Sequence, residues 1–118
     1  MTIKGVKNLT KFFLLLTYLK QQMETALIQA IANQKPYFVC KHTGEELLLV
    51  PLKGDVVDFN QFLTMNEVGA FIWDAIDSNC SFDNLVNRVY EEYDVEKSVI
   101  ATDIRYFLEK LATFVTTA

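Results

Sequence analysis

The sequence predicts an α+β fold, in which helices cover one face of a small antiparallel sheet. Three observations lead to this prediction. A long helical pattern without Gly or Pro occupies residues 10–33. Short runs rich in β-forming residues, separated by turn signals, follow over residues 37–65. Three amphipathic helical patterns then fill the remaining chain, and strands followed by helices are typical of this class.

The first helical pattern carries an apolar seam. Its members are spaced by four or three residues in turn, as in a helix that packs through a narrow stripe. Pro36 disfavours helix at Lys35 and, together with Asn33, ends the pattern. We expect the seam to form a homodimer contact; packing on its own domain and binding to a membrane surface are the alternatives. The seam consists of Phe12, Leu16, Leu19, Met23 and Ala26, and it continues to Ala30.

Three strands are predicted between the helices. Residues 37–42 form the first, and the hairpin turn Thr43-Gly44-Glu45 leads to the second, over residues 46–52. Pro51 ends the regular pairing of that second strand. A turn over residues 53–55 precedes the third strand, residues 56–65, which we expect to be bent or bulged near Asn60.

Each of the three C-terminal helices has one apolar face. The first begins at a capping box of Thr64 and Glu67 or at Asn66, and Ser81 caps the second. Asp94 is expected to open the last helix. The three faces are Val68, Phe71, Ile72, Ala75 and Ile76; then Phe82, Leu85, Val86, Val89, Tyr90 and Tyr93; then Val99 or Ile100, Ile104, Phe107, Leu108, Leu111 and Phe114 or Val115.

Composition and charge limit the function classes. With 118 residues and 51% apolar residues, the chain can bury a core without a metal or a disulfide. Cys40 and Cys80 stand far apart, so we expect two reduced thiols. Residues 1–35 carry five basic and one acidic side chain, whereas residues 36–118 carry six and fourteen. An acidic body repels phosphate backbones, which argues against nucleic acid as a partner.

The apolar run at residues 12–19 resembles the core of a secretion signal. Lys20 and Glu24 separate this run from the small-x-small tripeptide at residues 30–32, and that gap is too long for ordinary cleavage. The run is also too short to span a bilayer. We therefore expect no signal peptide, no transmembrane helix and a cytoplasmic location.

The sequence gives little support to catalysis. Its one histidine, His42, has no Asp or Cys near it in sequence at a spacing that would indicate a catalytic site. It is interpreted as an edge or surface residue. One His and two isolated Cys cannot complete an ordinary four-ligand zinc site without carboxylates. No glycine-rich phosphate-binding motif is present. We expect no enzyme activity, no metal and no cofactor.

The central segment resembles the PqqD-like family. The resemblance begins at Val57-Asp58-Phe59-Asn60 and continues through residues 63–73, which contain Leu63, Asn66 and Ile72-Trp73. It extends through Tyr90-Glu91-Glu92-Tyr93-Asp94 and Asp103 to Leu111, and so covers about residues 37–115. The chain has Asp77-Ser78-Asn79 where the family often has Asp-Gly, and residues 1–34 have no counterpart in the family pattern. The sequence therefore divides into an N-terminal helical extension, residues 1–34, and a PqqD-like domain, residues 35–118.

This resemblance implies a winged helix-turn-helix fold and a role as a peptide chaperone. Such a domain binds the leader of a ribosomally made precursor peptide and presents it to a maturase, commonly a radical-SAM enzyme. The leader would be added as a strand along the third strand, beside the last helix. The residues expected to bind it are Phe59, Gln61, Phe62, Leu63, Thr64, Met65, Asp103, Tyr106, Phe107 and Lys110.

Two other function classes stay open on the sequence. A winged helix can be a DNA-binding regulator, but residues 81–118 carry four basic and seven acidic side chains, which counts against groove binding. The chain can also be a structural protein that dimerises through the helix at residues 10–33.

Overall fold

The structure, a computed structural model, describes residues 3–44 and 46–118. The predicted order of one helix, a small antiparallel sheet and three helices is confirmed. Glu45 of the predicted hairpin turn lies outside the described residues. A 3₁₀ turn, Lys35–Tyr37, joins the first helix to the sheet. The elements are α1 (Ile3–Gln34), β1 (Phe38–Thr43), β2 (Glu46–Lys53), β3 (Val56–Val57), β4 (Leu63–Met65), α2 (Glu67–Ala75), α3 (Phe82–Tyr93) and α4 (Lys97–Thr117).

Strand β2 is the centre of the sheet. It pairs with β1 on one side, from Phe38 opposite Pro51 to Thr43 opposite Glu46. On its other side it pairs first with β3 and then with β4, and Thr64 lies opposite Leu48. Thus β3 and β4 are two pieces of the predicted third strand. The sheet is three strands wide, as expected.

The break between β3 and β4 is longer than the predicted bulge. It spans residues 58–62, because the Asp58 carboxylate turns the chain locally. One Asp58 oxygen accepts a hydrogen bond from the Asn60 backbone N–H at 3.0 Å, and the other lies 3.2 Å from Lys53 Nζ. Such a turn competes with strand pairing. The Asp58 N–H still donates to the Pro51 carbonyl at 2.9 Å, so the break begins at the sheet edge.

The core lies between the sheet and the helices. Leu47 and Leu49 of β2 point into it, and Leu49, Leu85 and Leu108 are fully buried. Trp73 of α2, expected in the core, is 4% exposed, and the Phe38 ring meets it edge-on at 6.4 Å. Burial of these large side chains holds the helices against one face of the sheet.

The helix ends agree only partly with the sequence. Ser81 caps α3 as predicted, since its hydroxyl accepts from the Asn84 N–H at 3.0 Å. Asn66 alone caps α2, because Thr64 is part of β4 and does not form a capping box. The prediction for Asp94 was wrong: it ends α3 in the left-handed region with φ 49°, which Asp tolerates, and α4 begins later, at Lys97.

Helix α1 begins at Ile3 rather than near residue 10, and only its C-terminal part packs on the domain. Glu24, Ile28 and Ile31 are buried there, whereas every residue from Leu9 to Met23 is exposed. The predicted seam therefore lies on an open surface, and its dimer role stays a prediction. None of the helices described is long and apolar enough to cross a membrane.

Candidate functional site

One stripe of helix α4 lies beside the edge of the sheet. Asp103, Phe107, Lys110, Phe114 and Thr117 are spaced by three or four residues, so they follow one face of the helix. Ile104, Leu108 and Leu111, each of which follows a stripe residue and so lies about 100° around the helix from it, are buried in the core. Folding of α4 onto the core therefore leaves this stripe along one flank of the helix.

An open groove lies between the end of this stripe and β4. It has a volume of about 530 Å³, and its surface is mainly apolar. Leu63 of β4 forms one wall, while Lys110 and Phe114 of α4 form the other. Because Leu63 is only half-buried, the groove offers apolar contact area directly beside the strand edge.

A second hollow, of about 330 Å³, lies at the other end of the stripe. Asp103 and Phe107 of α4 face Asn66 and Gly69 of α2 across it, and Tyr93 of α3 closes one side. Gly69 permits this close approach: a methyl group there would stand 3.1 Å from Phe107 Cε1. The absence of a side chain at Gly69 thus fixes how near the Phe107 ring comes to α2.

Strand β4 has an open edge next to these two hollows. Within residues 3–44 and 46–118, β2 is the only strand that pairs with it. The other row of backbone N–H and C=O groups is thus available to an extended chain. Thr64, in the middle of β4, is exposed.

Helix α1 does not lie on this side of α4. It packs against the side of Arg105, whose guanidinium reaches the Glu24 carboxylate at 2.7 Å. Arg105 and Phe107 are two residues apart, hence about 200° apart around the helix. The N-terminal extension and the stripe therefore occupy opposite sides of α4.

The predicted site residues fall into four groups. Leu63, Thr64, Asp103, Phe107 and Lys110 line the strand edge and the α4 stripe, and Met65 is 2% exposed and belongs to the core. Tyr106 lines a separate hollow. The remaining three, which lie in the break between β3 and β4, are Phe59, Gln61 and Phe62.

The sequence analysis does not include some residues of the stripe and the hollows among the expected site residues. Phe114 and Thr117 follow Lys110 at intervals of four and seven residues, so the spacing alone was sufficient to find them. The sequence predicts Asn66 only as a helix cap and Tyr93 only as part of an apolar helix face. Their position beside Asp103 depends on how α2 and α3 pack on α4.

The described residues provide no evident catalytic set. His42 is exposed, and no group of three His, Cys, Asp or Glu side chains in residues 3–44 and 46–118 is placed to hold a metal ion. Burial raises the pKa of both the Cys40 and the Cys80 thiol, so the reactive thiolate is scarce at neutral pH.

The fold and the groove define a winged-helix-type α+β domain with an open sheet edge. Residues 46–113 match the family model described as Coenzyme PQQ synthesis protein D (PqqD). This match covers more than half of the chain, which therefore belongs to the PqqD family. It lies within the segment, about residues 37–115, that the sequence had indicated. Helix α1 and strand β1 lie outside it.

A solved structure supports the same fold. It is titled "TbiB1 in Complex with the TbiA(beta) Leader Peptide" and is 25% identical to this chain, with a TM-score of 0.52. The alignment covers 65% of this chain and 84% of the other. No curated protein sequence was found to match this chain.

Proposed function

We propose that this chain is a non-catalytic peptide-binding module for the leader segment of a ribosomally made precursor peptide. The leader is added as a strand along the open edge of β4, and its side chains enter the groove beside α4. The observation that carries this proposal is the unpaired edge of β4 directly beside an apolar groove. Membership of the PqqD family and the leader-peptide complex of TbiB1 support it.

The energetics require both the strand edge and the groove. Each backbone hydrogen bond contributes about 0.5–1.5 kcal/mol net, and β4 is only three residues long. Apolar leader side chains in the groove at Phe114 and in the hollow at Phe107 must supply the remaining free energy. We expect micromolar affinity, about −8 kcal/mol, because a flexible leader must become ordered when it binds.

The chemistry on the precursor belongs to a partner enzyme. This chain supplies thiols with raised pKa and an exposed His42, none of which is arranged as a nucleophile with a base. From the resemblance, we propose a radical-SAM maturase as that partner and the cytoplasm as the place where the two meet. The role of this chain is then to hold the leader while the enzyme modifies the core of the peptide.

Amide hydrogen exchange tests strand addition directly. The probes are synthetic leader segments of ribosomally made precursor peptides, added to the full-length protein. If a leader pairs with β4, at least one amide among residues 63–65 that exchanges freely becomes protected. Protection confined to α1, or no binding by any of these leaders, would contradict the proposal.

A proline substitution at Gln61 is a useful companion to that experiment. Gln61 lies in the break, two residues before β4 begins, so it contributes no N–H to the strand itself. The sequence alone predicts that Gln61→Pro blocks the leader, whereas the position of Gln61 outside β4 leads us to expect nearly normal binding. Loss of binding in a folded Gln61→Pro protein would extend the site into the break between β3 and β4.

A further inference from the structure

The N-terminal part of α1 exposes a large apolar surface. Nine large apolar side chains between Leu9 and Met23 are 44–67% exposed, which is more than half of all such exposed residues described. The chain is elongated, with extents of 63 × 32 × 23 Å and a radius of gyration of 17.6 Å. A compact chain of this length has a radius near 13.5 Å, by the usual scaling of about 2.2·N^0.38. Exposed apolar surface of this extent marks an interaction site.

This segment cannot turn back onto its own domain. Helix α1 runs without interruption from Ile3 to Gln34, and its C-terminal part is fixed to the body. Glu24 pairs with Arg105, Ile28 and Ile31 are fully buried, and Lys35 binds two backbone carbonyls of the α2 end. Another molecule must therefore cover residues 9–23.

The seam of Phe12, Leu16, Leu19, Met23 and Ala26 lies on a different face of α1 from the residues that pack on the body. Met23 and Glu24 are neighbours, so their side chains are about 100° apart around the helix. The helix can thus pack on its own domain through Glu24 and simultaneously present the seam to a partner. Seam residues at alternate spacings of four and three are typical of one helix packed along another.

The distribution of charge along the chain indicates which partner covers residues 9–23 and in which direction its helix runs. Lys4, Lys7, Lys11 and Lys20 precede the first acidic residue of the chain, whereas residues 36–118 carry a net charge of −8. A parallel pair of α1 helices would bring the two lysine-rich ends together. An antiparallel pair brings each lysine-rich end to the acidic body of the other copy.

We propose that α1 forms an antiparallel homodimer through this seam, with Leu16 facing Leu19 and Phe12 facing Met23 of the second copy. In this register, the first turns of one helix reach the level of residues 27–31 of the other. The Gln29 side chain donates to the Ser78 carbonyl at 2.9 Å, so the exposed Asp77 lies beside that level, and Asp74 lies one turn earlier in α2. Acidic side chains at this level complement the net positive charge that the sequence gives residues 1–35.

A membrane surface fits the helix less well. Lys11, Leu14 and Tyr18 share one side of the helix, at intervals of three and four residues and about 100–200° away from Phe12. A helix lying on a bilayer separates its cationic and apolar faces, whereas this side mixes them. A second copy of the chain can contact both cationic and apolar side chains, because its residues 36–118 carry carboxylates.

Sedimentation of the full chain tests the proposal. Wild type should sediment at twice its 13.6 kDa mass. Leu19→Asp, which places a charge in the seam, should raise the dissociation constant at least about a hundredfold. Leu14→Asp makes the same change about 200° away from Phe12 and Leu16 and should remain a dimer. A wild-type monomer at high concentration, or equal behaviour of the two variants, would overturn the proposal.

Disulfide trapping tests the direction of the pair. In a background where Cys40 and Cys80 are replaced by Ser, protomers with Phe12→Cys are mixed with protomers with Met23→Cys and oxidised. We expect the 12–23 crosslink to dominate, and a dominant 12–12 crosslink would overturn the antiparallel arrangement. The last experiment is co-sedimentation with vesicles of phosphatidylcholine and phosphatidylserine. A monomer that sediments with these vesicles would show that α1 binds a membrane surface and would refute the dimer.

Discussion

Glu24 of α1 and Arg105 of α4 form an ion pair that joins the N-terminal extension to the family domain. Glu24 Oε2 accepts from Arg105 Nε at 3.1 Å and from Arg105 Nη2 at 2.7 Å. The Glu24 side chain is 9% exposed and the Arg105 side chain 26% exposed, and the guanidinium also lies 5.3 Å from the ring centre of Phe82. The pair fixes α1 on the side of α4 that faces away from the groove.

Removal of the Glu24 carboxylate should destabilise the fold. In Glu24→Ala, Arg105 keeps its partly buried charge but loses both hydrogen bonds, so we expect a loss of about 2 kcal/mol in the free energy of unfolding. Urea unfolding followed by the fluorescence of Trp73 measures it. Glu109→Ala, which removes an exposed carboxylate from α4, is the control and should cost less than about 0.5 kcal/mol. Equal losses in the two variants would contradict this role.

Lys35 should stabilise the end of α2. Its ammonium donates to the Trp73 and Ile76 carbonyls, both at 2.8 Å, and lies 5.2 Å from the Trp73 ring centre. Lys35→Met keeps the apolar stem but leaves these carbonyls without a cation, and we expect a loss of about 1–2 kcal/mol. Thermal and urea unfolding check it against Lys41→Met, which removes an exposed lysine of β1. A Lys35→Met protein as stable as wild type would show that the contacts of the Lys35 ammonium contribute nothing to the free energy of unfolding.

Asp58 should make stability depend on pH in the acid range. The Asn60 backbone N–H, and then Lys53, lower the pKa of this carboxyl below its ordinary value of about 4. The stabilisation is therefore fully present above pH 4 and is lost as the pH falls through the lowered pKa. Unfolding should be measured from pH 6 to pH 2. The free energy of unfolding of wild type should exceed that of Asp58→Ala at pH 6, and the two values should converge toward pH 2. A difference between the two proteins that stays constant from pH 6 to pH 2 would contradict this role of Asp58.

Filling the groove should block the peptide without disturbing the core. Thr113 is exposed and lines the groove, and its hydroxyl donates to the Glu109 carbonyl at 2.9 Å. We expect Thr113→Phe to weaken leader binding about tenfold or more, or by about 1.4 kcal/mol. Thr102→Phe is the matched control, because Thr102 is also exposed on α4 and donates to the Ser98 carbonyl at 3.2 Å, but lines another hollow. Fluorescence anisotropy with a labelled leader compares them, and equal affinities would exclude the groove.

The sequence by itself determined the element order and most of the core. Apolar spacing of 3.6 residues in the helices and the Gly and Pro signals between strands are local, so Ser81 as a cap and Leu108 or Leu111 as core residues could be found without a structure. The ordered set of residues from Val57 to Leu111 also identified the family. The stripe on α4 was found in part, through Asp103, Phe107 and Lys110.

Only the tertiary structure decided which faces are free. The Asp58 carboxylate accepts from the Asn60 N–H, and this turn splits the third strand and ends β3 at Val57. Asp94 ends α3 instead of opening the last helix, because its backbone adopts the left-handed conformation. The sequence indicated an apolar seam on α1 but not the polar anchor at Glu24, since its partner Arg105 is 81 residues away. Contacts between residues so distant along the chain leave no periodic signal. The open edge of β4 and the free seam of α1 therefore appear only when the whole chain is packed.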